Sequence, residues 1–244
     1  MFSEALRILD QNTIQYMIDD LQKQLAEERA EKEERALALA EKETALTEKE
    51  MALAEKDSEI QRLKEELASL KFELAFPNGL VTESCILNNV KIVRDVVNAA
   101  GSVYAVRADG EGVEVTINGG YYDAGSGSLY NIAVWAHNGS KVVINGGEFI
   151  TGNDVNGEFN HCVYAAGGST IEINGGTFMS IGDASWLLNC QDGNGTIIVK
   201  GGTFVNFDPS NCVSEGENTN FVAEGYKAVP EVVGEDTYYK VIKQ

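Results

Sequence analysis

The first 76 residues contain no glycine and no proline; all 25 Gly and all 3 Pro follow Phe76. A stretch without breakers, rich in Ala, Glu, Lys and Leu, excludes tight turns and favours uninterrupted helix. Positive charge is also scarce. There are 11 basic against 19 acidic residues before position 77 and 8 against 19 after it, for a net charge of −19. A chain acidic in both parts repels nucleic acid and anionic membranes, so neither is expected as a partner. Long apolar runs are missing: none approaches the ~18–20 residues that span a bilayer. The opening MFSEALRILD lacks a basic region followed by an apolar core, so no signal peptide is expected. Four cysteines, Cys85, Cys162, Cys190 and Cys212, show no CxxC or metal-type spacing and read as reduced thiols made in a cytosol.

What is present divides the chain. Leu39, Leu46, Leu53, Ile60, Leu67 and Leu74 recur every seven residues, with Leu63 and Leu70 at the interleaved offset. The same frame, without insertion, places Ile14, Ile18, Leu21 and Leu25 on one seam. At ~1.5 Å per residue, this register predicts a parallel coiled-coil stalk over 13–76, a rod of roughly 90 Å. Mid-rod, the second seam position carries Glu28, Arg35, Lys42, Lys49 and Lys56, which makes a solvated spacer held at its two ends. The other reading is a single solvated helix carrying i,i+4 Glu–Lys pairs. The seam is compatible with two strands or three. Asp10-Gln11-Asn12-Thr13 breaks the pattern and is expected to cap the rod's start. Residues 1–12, with apolar Phe2, Leu6 and Leu9, are then an attachment segment. Phe76-Pro77-Asn78-Gly79 ends the helix.

After it come four related lines, VTINGGYY, VVINGGEF, IEINGGTF and IIVKGGTF. Their glycine pairs, Gly119-Gly120, Gly146-Gly147, Gly175-Gly176 and Gly201-Gly202, lie 26–29 residues apart, which is a repeat architecture. Each unit has short β-like runs between Gly/Asn/Asp/Ser turns, and predicts one coil of a right-handed parallel β-helix over 102–220. Alternation points Val115/Ile117, Val142/Ile144, Ile171/Ile173 and Ile197/Val199 inward. It also aligns Tyr122, Phe149, Phe178 and Phe204 as an interior aromatic column. Val106, Val134, Val163 and Leu188 form another column, followed by Ala108, Ala136, Ala165 and Cys190. Asn118, Asn145 and Asn174 suit a side-chain ladder. Residues 77–101 are expected as linker and entrance cap, and 221–244 as a C-terminal β-hairpin closing the exit edge.

A heptad stalk joined to INGGTF-type coils and closing on VAEGYKAV…TYYKVI resembles tailed-bacteriophage fibre and appendage proteins with β-helical tips. The resemblance covers nearly the whole chain and rests on architectural motifs. It implies a homotrimer in the virion, bound to a virion protein through its N-terminus, with the tip towards a host surface. Similar repeats occur in bacterial surface adhesins, which normally carry an export signal.

Catalysis is weighed because many β-helices cleave polysaccharides, and glycoside hydrolysis needs two carboxylates on one groove. The outward column Arg107, Trp135, Tyr164 and Asn189 holds no acid. The next faces carry Thr116, Val143, Glu172 and Ile198, then Tyr121, Glu148, Thr177 and Thr203. Glu148 and Glu172 fall on different faces, and Asp109, Asp123, Asp154, Glu158, Asp183, Asp192 and Asp208 sit in turns. His137 and His161 have no ligand-spaced neighbour, and His161 and Cys162 point to opposite faces. The GGxGxD calcium pattern is missing. No catalytic residue, cofactor or metal is therefore expected. Arg107, Trp135, Tyr164 and Asn189 are candidates for stacking on a host glycan or, equally, for the seam of a trimer; Val143 and Ile198 suit packing, and Trp186 the core. The expectation is a structural, non-enzymatic fibre that attaches to host glycan or decorates the particle, with a depolymerase tip or a bacterial adhesin as alternatives.

Overall fold

The structure, a computed structural model, describes residues 2–157, 161–191 and 193–244, with side chains from Thr13 onward. The side chains of Phe2, Leu6 and Leu9, and the turn acids Glu158 and Asp192, lie outside the described residues. The chain forms two compact units, Met1–Gln61 and Arg62–Gln244.

One helix, α1, spans Phe2–Ala75. It runs unbroken through Asp10–Thr13, so the expected cap at the rod's start is not formed. Asp, Asn and Thr cost an interior helix position at most roughly 0.7 kcal/mol each, too little to stop a helix without Gly or Pro. Every seam residue from Ile14 to Leu74 is exposed, from 42% at Ile18 to 85% at Leu74. Along the spacer Arg35 reaches Glu31 at 3.6 Å across one turn, an exposed pair of small energetic weight. Among the described residues no helix is long and apolar enough to cross a membrane.

The second unit is a parallel β-solenoid of about four turns. The first rung is Leu80–Val81 (β1), Cys85–Leu87 (β2) and Val90–Val93 (β3). Ser102–Asp109 (β4) and Glu114–Asp123 (β5) make the next. Tyr130–His137 (β6) and Lys141–Gly152 (β7) follow. His161–Ala165 (β8), Ser169–Ile173 (β9) and Thr177–Ile181 (β10) form another. The last repeat gives Leu188–Asn189 (β11), Gly195–Val199 (β12) and Thr203–Val205 (β13). β1, β4, β6, β8 and β11 stack in parallel as one sheet.

The repeat alignment sets the register. Val106 pairs with Val134, Val134 with Val163 and Val163 with Leu188, and all four are fully buried. Tyr122, Phe149, Phe178 and Phe204 are fully buried and stack ring on ring, with centroids 5.0, 4.9 and 4.9 Å apart and planes within 10°. Parallel rungs repeat at ~4.8 Å, so equivalent rings are brought into face-to-face contact by the backbone itself. The glycine pair is where rungs touch. Gly120 has φ +115, and a Cβ there would lie 2.2 Å from the Val90 carbonyl oxygen.

Residues 77–101 depart from expectation. β1 pairs with β4, while β2 and β3 pair with β5, so 80–93 is itself a rung. Leu87-Asn88-Asn89-Val90 occupies the place of Ile117-Asn118-Gly119-Gly120, with Asn89 at φ 53 standing in for a glycine. Asn118 Nδ2 donates to Asn88 Oδ1 at 2.9 Å, and the ladder continues through Asn145 (2.9 Å) and Asn174 (3.1 Å). The lid on this end is the last turn of α1. Phe72 is 4% exposed within the solenoid core, and Ala68 and Phe76 pack beside it. The Lys91 amide donates to Ser69 Oγ at 2.8 Å, and Arg94 pairs with Glu73 at 2.8 Å.

At the other end Val222 bridges Val199 in parallel, after which the chain leaves the helical path. Tyr226–Val233 (β14) and Asp236–Lys243 (β15) pair antiparallel, and β15 pairs antiparallel with β13.

Candidate functional site

β4, β6 and β8 each bend after Tyr104, Ile132 and His161. Ala105, Ala133 and Cys162 are fully buried at the bend, directly before the inward valines. On a straight strand, residues three apart point to opposite faces. Here His161 stacks on Tyr164 at 5.2 Å, and the Arg107 guanidinium lies 5.8 Å from the Tyr104 ring. The bend therefore brings Tyr104 and His161 to the side of the sheet that carries Arg107 and Tyr164, in one strip along the rungs. Arg107, Trp135 and Tyr164 come from one arm, and the half-buried Tyr104 and the buried His161 from the other; Ile132, in register between these two, is 1% exposed.

Arg107 aligns with Trp135 and Trp135 with Tyr164, as the repeat alignment requires. The Arg107 guanidinium sits 4.0 Å from the centre of the Trp135 ring, covering one indole face, a cation–π contact at close range. Tyr104 meets Trp135 edge-on at 5.8 Å, and Tyr164 meets it at 5.7 Å. Tyr130 adds a ring 5.6 Å from His161. Much of Trp135 is thus committed within its own chain, and it is half-buried, as are Tyr104 and Tyr164.

Asp109 joins this strip, although alternation had placed it among ordinary turn acids. It pairs with Arg107, accepts a hydrogen bond from Asn138 Nδ2 at 2.6 Å, and lies 3.5 Å from His137 Nδ1. Burial pushes its carboxyl up, but the Asn138 amide and the Arg107 charge outweigh that and hold it below the ordinary value. Arg107 is consequently a neutralised cation. Burial holds the His161 imidazole below its ordinary value.

Asn189 continues the column in register with Tyr164, but it is 9% exposed and its Oδ1 accepts the Gln191 amide at 2.9 Å in a turn. Trp186 is half-buried on the turn closed by the Leu187 amide and Ala184 carbonyl, and Leu187 takes the core place, fully buried. The tight turn adds a residue out of alternation, which is why phase counting misplaced the indole. Cys162 is in the core and its thiol is pushed up by burial, while His161 faces the other way. Glu172 shares a column with Thr116, Val143 and Ile198 and pairs with Lys200 at 3.0 Å, a bond that lowers its carboxyl. Glu148 lies in the column of Tyr121 and Thr177, after the corner. Asp123, Asp154, Asp183 and Asp208 each accept the amide two residues on, at 2.8–2.9 Å, which is turn chemistry. Among the described residues no cluster of His, Cys, Asp or Glu is arranged to hold a metal ion.

Tyr104 and His161 were missed by sequence reasoning because strict period two assigns them inward. The signal that could have found them is the run of buried small residues, Ala105, Ala133 and Cys162, aligned in three successive repeats. No family model, no curated protein and no solved structure matches this chain.

Proposed function

We propose that this chain is a non-enzymatic virion fibre of the tailed-phage type, a parallel homotrimer with a right-handed β-helical tip. Residues 1–12 attach to a virion protein, 13–76 form the coiled-coil stalk, 102–220 the tip, and the β14–β15 pair in 221–244 caps the exit edge. The observation that carries this reading is the seam of α1. Its heptad-spaced Leu and Ile residues are all exposed in a single chain. Apolar residues on one stripe over about sixty residues cost solubility unless copies of the helix bury them against each other. A filled, apolar solenoid core supports a display role for the tip, and the aromatic strip around Trp135 supports contact with host-surface glycan. The Glu172–Lys200 pair supports a structural use for that acid rather than a catalytic one.

Immunogold electron microscopy of particles from the source, with antibody against residues 102–220, tests the reading. Gold at a fixed distance from particles is the expected result, and its position on tail or head separates attachment from decoration. Gold on cell surfaces with bare particles would overturn it in favour of an adhesin.

A further inference from the structure

Beside Tyr104, at the entrance end of the aromatic strip, the surface opens into a cavity of about 210 Å³. Asn78, Arg94, Val96, Asn98, Ser102, Val103 and Tyr104 line it. This is small beside the roughly 300–1,000 Å³ of clefts for drug-sized ligands, and it suits one ring-sized unit. The walls combine a phenol ring with amides and a hydroxyl, groups that exchange hydrogen bonds without net charge. Asn98 Oδ1 accepts the Ala100 amide at 3.2 Å, which leaves its Nδ2 as the donor.

The single cation in the wall is already committed. Arg94 pairs with Glu73 at 2.8 Å and donates to the carbonyls of Tyr104 (3.1 Å) and Ala105 (3.3 Å). Arg107, the next cation along the strip, is paired with Asp109. Neither can compensate an incoming carboxylate or sulfate, and the net charge of −19 repels one.

Resting on the reading of 102–220 as a glycan-contacting tip, we propose that this cavity is a subsite for one residue of a neutral glycan. The apolar face of a pyranose stacks on Tyr104, and its hydroxyls bond to Asn78, Asn98 and Ser102. Trp135, 5.8 Å from Tyr104 on the next rung, continues the surface along which the glycan extends towards Tyr164.

Affinity electrophoresis of the full chain tests this, in gels containing dextran, mannan or galactan and in gels containing alginate or polygalacturonate. The expected result is retardation by a neutral polymer that added salt leaves unchanged, because no ion pair forms. Tyr104→Ala weakens it about tenfold or more, and Asn78→Gly about threefold to tenfold. Asn78 has φ 60, which glycine adopts freely, so the second variant keeps the backbone if the first unfolds. Retardation only by acidic polymers, falling with salt, overturns the neutral class and leaves glycan contact standing. No retardation in any gel, or retardation of both variants equal to that of the unsubstituted chain, overturns the subsite. Antibody against 102–220 that still blocks particle adsorption in that case preserves the tip reading; antibody without effect sinks both.

Discussion

Replacing Phe149 with alanine probes the feature that most defines the solenoid interior. Phe149 is fully buried between Tyr122, 5.0 Å away at 7°, and Phe178, 4.9 Å away at 9°. Deleting a buried phenylalanine ring costs about 3–5 kcal/mol, more where the surroundings cannot close on the space. Here both neighbouring rings belong to rungs held at ~4.8 Å by backbone hydrogen bonds, so collapse is restricted. Two ring contacts, each worth about 0.5–1.5 kcal/mol, are lost within that cost, and the upper part of the range, about 4–5 kcal/mol, is expected. Phe204 ends the column, with one stacked partner at 4.9 Å and a tilted one, Phe207, at 6.4 Å. Phe204→Ala should cost about 3 kcal/mol. Urea unfolding followed by the far-ultraviolet strand signal measures both, with unchanged m-values required for the comparison. A cost under about 2 kcal/mol for Phe149→Ala, or a larger one for Phe204→Ala, would refute a column whose strength comes from stacking on both faces.

Three further outcomes are expected. Leu63→Asp with Leu70→Asp places charge on the seam and should reduce the sedimenting species to a single chain with the strand signal intact; an unchanged assembly would remove the coiled coil. Gly120→Ala brings a Cβ to 2.2 Å from the Val90 carbonyl at a φ of +115, and should lower stability by about 2–3 kcal/mol, read from thermal unfolding; a neutral result would mean the rungs are not in close contact there. The His161 imidazole is held down chiefly by burial, against the Trp186 carbonyl and the Asp154 charge. The fold thus favours its neutral form: stability is complete above the ordinary histidine value of about 6.5 and falls as pH drops towards the depressed folded value. The melting temperature should decline between pH 7.5 and 5.5 and be flatter in His161→Gln; parallel profiles would show that another group governs the decline.

Periodic features were legible in the residues because each follows a one-dimensional rule. Seven-residue spacing marks the seam, and the recurrence of Ile-Asn-Gly-Gly aligns the rungs. Once rungs are aligned, two-residue alternation specifies which side chains fill the interior, down to the column from Tyr122 to Phe204. The first rung escaped notice because Leu87-Asn88-Asn89-Val90 carries no glycine; Asn89 tolerates the left-handed backbone there, so the geometry repeats while the letters do not.

The long helix, the repeat, its register and its buried columns were thus all readable from the residues, since each depends on a regular spacing along the chain. Tertiary structure alone decided that Phe72 lids the solenoid, that Asp109 neutralises Arg107, and that Tyr104 and His161 turn onto the strip of Trp135 and Tyr164. Each of these depends on where the chain bends and on which distant surface is left to be covered, and neither quantity is carried by local periodicity.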